Sequence, residues 1–395
     1  MEEFEYNKIR NISNKNVPAG SNVSTSFQRK TRSKLVQISG TKASVHTGQL
    51  IVSTGVPSLD SLLGGGLAVG SLLLIEEDEF NSYSKVLLQY FLAEGVMNGH
   101  ELYIASAQDH PDDMIQDLPS PIRDEDPESK SPLSSNPDQT DAMQIAWRYQ
   151  NFPKVQTTLS SSSRFGHYYD LSNRMEPDLL QSTKIHTFYL HDEEPAPTEH
   201  SAALGHYSAL LHSIQSVIKR NGFDGSNPQM KVRNVLRVAL HSLGSALWGD
   251  DVCCSSSPSR GRALLTFLYA LRALLRSSLS VAVVTVPAHL IQSKSLVGRM
   301  VRLSDTAVAL HSFTDSERKN NPMCKDYHGL LKVLQVPRLN CLACEVPDTK
   351  DLAFRLKRKQ LTIERMVLPP DLSDSVSRVS KASPCSSDPN KNLDF

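Results

Sequence analysis

Four carboxylates stand in a row at Glu76-Glu77-Asp78-Glu79, and Lys85 follows six positions later. A lysine at the head of a helix can hold a phosphate when the turn before it is rich in glycine. In the loop G-x-x-x-x-G-K-[ST], backbone N–H groups wrap the phosphates, while the lysine and the next hydroxyl serve phosphate and magnesium. Here no glycine lies between Gly70 and Gly95, and Val86 stands where that hydroxyl belongs. Each contact between like charges at ~4 Å costs on the order of 1–4 kcal/mol. The turn Glu76, Glu77, Asp78, Glu79 with Lys85 is therefore expected not to hold ATP by itself. No cofactor and no metal is expected.

The elements that position this turn are legible around it. Pro57 suits the first turn of a short helix, Leu59, Leu62 and Leu63 share one face, and Gly64-Gly65-Gly66 ends it. Leu72 to Ile75 is apolar on every side, as in a strand buried on both faces of a parallel sheet. The period turns helical from Ser84 to Glu94, where Gly95 is expected to stop the helix, and Leu102 to Ala105 reads as the next strand. Ser208 to Arg220 is an amphipathic helix, and Val235 to Leu240 a buried strand closed by His241. An apolar helix, Ala263 to Leu275, leads to a strand at Val281 to Val286, and another strand follows at Thr306 to Leu310. Gly329 to Val336 and Leu361 to Val367 read as hairpin strands. The basic run Arg355, Lys357, Arg358 and Lys359 reads as a solvated edge.

Composition narrows the class. The 395 residues carry 42 Lys+Arg and 42 Asp+Glu, so net charge favours no partner, but the charges are segregated. Asn7 to Leu59 holds eight cations and no acid, whereas Asp109 to Asp141 holds ten acids against Arg123 and Lys130. No apolar run approaches the ~20 residues of a membrane span, and the start MEEFEYNK is no signal peptide. A soluble intracellular protein, cytoplasmic and nuclear, is expected. Three segments are expected to be disordered: the basic start 1–44, an acidic, proline-rich insert at about 107–140, and the tail 373–395. Order should resume at Met143 to Tyr149. In Phe165 to Leu171, His167 beside Tyr168 and Tyr169 suggests base stacking or, by preference, packing in the core or against a partner.

Cys324-x3-His328 followed by Cys341-x2-Cys344 offers the ligand types of a zinc site. Yet Val333 and Val336 of the adjoining strand need the core. Reduced buried thiols are the reading preferred in a reducing compartment.

Longer motifs carry a resemblance. TGVPSLDSLLGGGLAVGSLLLIEED resembles the opening of a RecA-type ATPase core whose nucleotide loop is degenerate. AWRYQNFPKV, RVALHSLGSALWG and FRLKRKQLTIERMVLPPD resemble the PAXNEB family, the fourth subunit of the Elongator complex, over roughly residues 45–372. The resemblance implies an α/β fold, a RecA-like three-layer αβα core with a mostly parallel twisted sheet. In active members of that fold the strand ending at Leu240 closes on an acid that holds magnesium through water. His241 stands there instead, and it suits a hard, oxygen-preferring cation poorly. Also implied is a non-catalytic subunit that alternates with two related RecA-like subunits in a hetero-hexameric ring. That ring binds tRNA and serves wobble uridine (U34) modification carried out by the catalytic Elongator subcomplex.

Two other readings stay open: an NTPase subunit contributing in trans at ring interfaces, and a scaffold with no nucleic-acid role. In RecA-like rings the loops after the central strands face the pore. Asp250 to Arg262 and Pro287 to Arg302 are those loops here, which makes Arg260, Arg262, Lys294, Arg299 and Arg302 the candidate tRNA contacts. Pairing with acids of a neighbouring subunit is the competing role for the same side chains.

Overall fold

The computed structural model describes residues 38–44, 47–122, 165–192, 202–225, 233–249, 251–253, 261–320, 324–338, 351–357 and 359–366. Strands β1 (Thr41–Ala43), β2 (Leu50–Val52) and β3 (Leu67–Ala68) form a small antiparallel sheet. Helix α1 (Pro57–Leu62) lies between β2 and β3 and starts on Pro57. The glycine triplet then turns the chain with positive φ throughout, 82°, 109° and 133°. A Cβ at Gly66 would lie 2.4 Å from the Val52 carbonyl oxygen, so this turn requires glycine.

Next come β4 (Leu72–Glu76), α2 (Ser82–Met97), β5 (Glu101–Ser106), α3 (Pro111–Gln116), β6 (Pro119–Pro121), β7 (Tyr169–Arg174), α4 (Pro177–Ser182) and β8 (Ile185–Tyr189). They are followed by α5 (Ala202–Arg220), β9 (Leu236–Leu240), α6 (Arg262–Arg276), β10 (Ser280–Val286), α7 (Lys294–Leu303), β11 (Thr306–Ser312) and α8 (Asp315–Asn320). Three antiparallel strands, β12 (Gly329–Gln335), β13 (Leu352–Lys357) and β14 (Gln360–Arg365), end the described chain.

One nine-stranded sheet organises these pieces in the order β14-β13-β12-β11-β4-β10-β9-β5-β8. From β11 to β8 all neighbours are parallel, which requires the helical crossovers found between them. Alternate residues feed opposite faces. Leu72 and Leu74 of β4 join Leu210 and Ile214 of α5, Leu264 and Leu268 of α6 and Met300 of α7. Leu73 and Ile75 join Leu59 of α1 and Leu88, Phe91 and Leu92 of α2. Each such side chain contributes about 1.5–3 kcal/mol when fully buried. Helices thus cover both faces of a mixed, mostly parallel α/β sheet, consistent with the RecA-like three-layer core.

Several expectations change. Helix α2 runs on through Gly95, because Leu87 to Val96 are all buried and packing outweighs the poor helix propensity of glycine. A Cβ there would lie 2.5 Å from Leu102 Cδ2 and 2.7 Å from Arg237 Cδ, so Gly95 lets helix and sheet approach closely. Thr41–Ala43, assigned to the disordered start, pairs with Leu50–Val52. The insert begins later than 107: α3 buries Met114, Leu118 is buried behind it, and β6 pairs with β7. The rest of the insert, Met143 to Tyr149, Cys341 with Cys344, and the C-terminal tail lie outside the described residues. Cys324 is buried, and the His328 Nδ1 accepts the Leu356 N–H at 3.2 Å.

The sheet edge at β14 is closed by hydroxyls. Tyr90 accepts the Leu361 N–H at 3.2 Å and Ser58 accepts that of Ile363 at 3.0 Å. Two ladder groups open to another chain are thereby used up.

Candidate functional site: the turn after β4

The acidic turn folds back on its own helix. Asp78 is buried, and its carboxylate accepts the N–H groups of Ser82 at 3.0 Å, Tyr83 at 3.1 Å and Ser84 at 3.0 Å. The Ser84 Oγ lies 2.9 Å from the same carboxylate and 2.8 Å from Asn81 Oδ1. These are the orphan donors of the first turn of α2, where the helix dipole favours an anion. Asp78 therefore takes the place that a bound phosphate would take. The turn is tight enough to hold Asn81 at φ 51°, a left-handed conformation that asparagine tolerates better than most residues.

The neighbouring groups are tied as firmly. Lys85 pairs with Asp109 at 2.7 Å in the wall of an open cleft of about 640 Å³. The same cleft holds Asp113 and Asp117, the latter paired with Arg174 at 2.8 Å. Three carboxylates face two paired cations, a poor receptor for phosphate. His241, fully buried at the end of β9, accepts from the Asn81 amide at 3.0 Å through Nε2, and its Nδ1 lies 3.3 Å from Ser106 Oγ. Burial holds its imidazole down at about 4, with Asp109 pulling upward and Lys85 downward, so it is neutral near pH 7.

Glu77 is buried against β9 and β10. Its Oε2 accepts from the Ser242 hydroxyl at 3.3 Å, while Oε1 has no hydrogen-bond partner among the described residues. Burial pushes its carboxyl up to about 7, against the hydroxyls of Thr285 and Ser242. Burial also raises Glu76, with Lys294 and Lys332 opposing. Glu79 is exposed.

A second polar cluster lies across α2. Arg237, fully buried within β9, donates Nε to His100 Nδ1 at 2.9 Å and Nη1 to the carbonyls of Ser53 at 2.9 Å and Phe91 at 3.0 Å. Its guanidinium sits 4.8 Å from the Phe91 ring centroid. Glu94 accepts from the Tyr169 hydroxyl at 2.7 Å and from the His167 N–H at 3.0 Å. Burial alone would raise the Glu94 carboxyl; the bonds from His167 and Tyr169 and the Arg237 charge hold it at about 2. His167, a candidate for base stacking, is thus tied to Glu94, and Tyr169 is buried, whereas Tyr168 stays exposed.

Of the basic candidates, Arg262 opens α6, while Lys294, Arg299 and Arg302 lie on α7 rather than in a loop. The reason is local. Ser293 caps α7 by accepting the Leu296 N–H at 3.4 Å, and Leu296, Val297 and Met300 give it a buried face. All four cations are exposed, and none has an ion-pair partner among the described residues. Arg260 lies outside those residues. Sequence reasoning missed Asp109, Ser106, Asn81, Glu94 and Arg237. Only Arg237 left a signal, a charge inside an otherwise apolar strand.

Comparison with known proteins agrees with this architecture. The family model described as PAXNEB protein matches residues 34–395. Elongator complex protein 4 of Danio rerio is 64% identical over 362 residues, covering 91% of each chain. The Xenopus laevis protein of that name is 56% identical, covering 90% of this chain and 89% of its own. The Homo sapiens one is 51% identical, with 90% and 88% covered. A chain matched from residue 34 to its last residue, on a sheet and a self-filled turn of this kind, belongs to the PAXNEB family.

Proposed function

We propose that this chain is a non-catalytic subunit of an Elongator complex, the assembly that its relatives are named for. In this reading it joins two related RecA-like subunits in a hetero-hexameric ring, which binds tRNA and serves wobble uridine modification by the catalytic subcomplex. It would act in the cytoplasm and nucleus. The observation that carries the non-catalytic part is Asp78, whose carboxylate occupies the N–H groups of α2 that a nucleotide phosphate would need. Lys85 and His241, held by Asp109 and Asn81, support the same reading.

Arg260, Arg262, Lys294, Arg299 and Arg302 are the proposed phosphate contacts. They are suited to binding that tolerates sequence and weakens with salt. Two measurements test the proposal. Calorimetry of the purified chain with Mg-ATP should give no heat of binding; micromolar affinity would overturn the reading. Labelled tRNA should bind the ring assembled with its two related subunits equally well with and without ATP. Binding that requires ATP would favour a contribution in trans to hydrolysis, and no binding would favour a scaffold.

A further inference from the structure

The stretch that carries α6 and α7 holds charge of one sign. Between Asp251 and Asp305 the chain contains no Asp or Glu, yet it contains Arg260, Arg262, Arg272, Arg276, Lys294, Arg299 and Arg302. In a chain with equal numbers of acids and bases, such segregation concentrates positive charge on one stretch. Two of these cations are neutralised at the foot of α6. Arg272 and Arg276 share buried Asp305, at 2.7 and 2.6 Å. Arg262, Lys294, Arg299 and Arg302 remain exposed, and none has a hydrogen-bond or ion-pair partner among the described residues.

Helical spacing sorts these side chains. On α7, Ser295, Gly298, Arg299 and Arg302 follow one another at i, i+3, i+4 and i+7 on a single face, opposite buried Leu296, Val297 and Met300. On α6, Arg262, Tyr269 and Arg276 lie at i, i+7 and i+14, also on one face. The two helices pack together and run in the same direction. Gly261 at the head of α6 lies against Leu296 of α7, and Arg276 at its foot reaches Asp305 just beyond α7. Tyr269 therefore sits midway along the outer face of α6, on a helix packed beside the one that carries Arg299 and Arg302. Its side chain is 67% exposed, one of the largest apolar surfaces left open among the described residues. A Cβ at Gly298, on the outer face of α7, would meet nothing within 4 Å, so that face is open there.

Phosphate groups need dispersed cations free of acid partners, and unpaired bases need an exposed flat ring between them. We propose that Tyr269 is a stacking platform for an unpaired RNA base, with Arg262, Arg299 and Arg302 holding the flanking phosphates. Single-stranded segments then bind this face more tightly than duplex. The inference rests on the reading that this subunit contacts RNA, and it adds a residue and a preference which that reading does not contain. An acidic protein partner would meet the same cations without requiring the ring.

The test uses the full chain assembled with its two related subunits, with a fluorescein-labelled single-stranded oligouridine 12-mer and a blunt RNA duplex of equal length as probes. Tyr269→Ala should weaken the single strand about tenfold, as expected for loss of one stacked base, and leave the duplex and the salt dependence unchanged. Tyr269→Trp should restore single-strand affinity. Arg299→Glu with Arg302→Glu should weaken both probes and flatten the salt dependence. Unchanged single-strand binding by Tyr269→Ala, beside a loss in the arginine variant, would overturn the stacking role while leaving RNA contact standing. No change in either variant would remove RNA from this face altogether. If Tyr269→Ala instead prevents assembly, the face is a subunit interface and the proposal fails.

Discussion

Two of the places where this molecule buries charge do so by opposite routes. The turn after β4 satisfies Asp78 with donors four to six residues ahead, all at the start of one helix. The cluster around Arg237 draws its partners from Ser53, Phe91 and His100, and Glu94 draws on His167 and Tyr169. Local satisfaction fills a site. Long-range satisfaction fastens separate segments, here the loop after β2, helix α2, the strand β9 and the stretch leading into β7. Removing a charge from the first should change what the surface can bind. Removing one from the second should change whether the molecule holds together.

The sharpest way to break that distinction is Arg237→Met. It removes the charge that helps hold Glu94 ionised and leaves three acceptors without their donor, and losing one member of a buried charged set costs about 3–5 kcal/mol. Urea denaturation of the variant should show a loss of that order. A loss below about 1 kcal/mol would mean that the cluster is not the fastening described here.

Gly95→Ala comes next and separates helix propensity from packing. Alanine in an exposed helix would gain about 1 kcal/mol over glycine. Here its Cβ would press on Leu102 and Arg237, and overpacking of this kind costs about 1–3 kcal/mol. Thermal melting should give a lower midpoint; a higher one would show that the sheet yields.

Glu77→Gln tests the turn by pH. The carboxyl rises from 4.5 to about 7 on folding, so the native state holds its proton longer than the unfolded chain. Stability linked to this group is full below pH 4.5, declines from 4.5 to 7 and is flat above. The glutamine variant should lack that decline and be more stable than the parent by about 3 kcal/mol at pH 8. Equal pH profiles in denaturant melts would place Glu77 in a wetter site. The Arg237 cluster should respond in the other direction. Glu94, held at about 2, contributes stability that is present above pH 4.5 and lost as pH falls toward 2.

Asp78→Ala should cost about 1–2 kcal/mol, as other lost helix-start acceptors do. Lys85→Ala should cost least, less than about 1 kcal/mol, because its pair with Asp109 is about one-third exposed on each side. If Lys85→Ala instead abolished function in the assembled complex, a ligand role for this lysine would have to be restored.

The strands and helices flanking the turn and the family were legible in the chain because each is written in short-range pattern. Runs apolar on every side fix strands buried on both faces, and helical spacing fixes α5, α6 and α2 apart from its end. The absence of glycine between Gly70 and Gly95 already speaks against a phosphate loop. What the chain alone did not reveal depends on contacts between residues far apart in number. Gly95 reads as a stop until Leu102 and Arg237 are seen against it. The run from Pro287 to Arg302 reads as a basic loop until α6 and β12 give α7 something to bury against. Lys85 looks like a surviving ligand group until β5 brings Asp109 to it. A side chain's chemistry is fixed by its type. Whether it is free to act is decided by what the tertiary fold sets beside it, since a buried or paired charge has already spent its interaction within the protein.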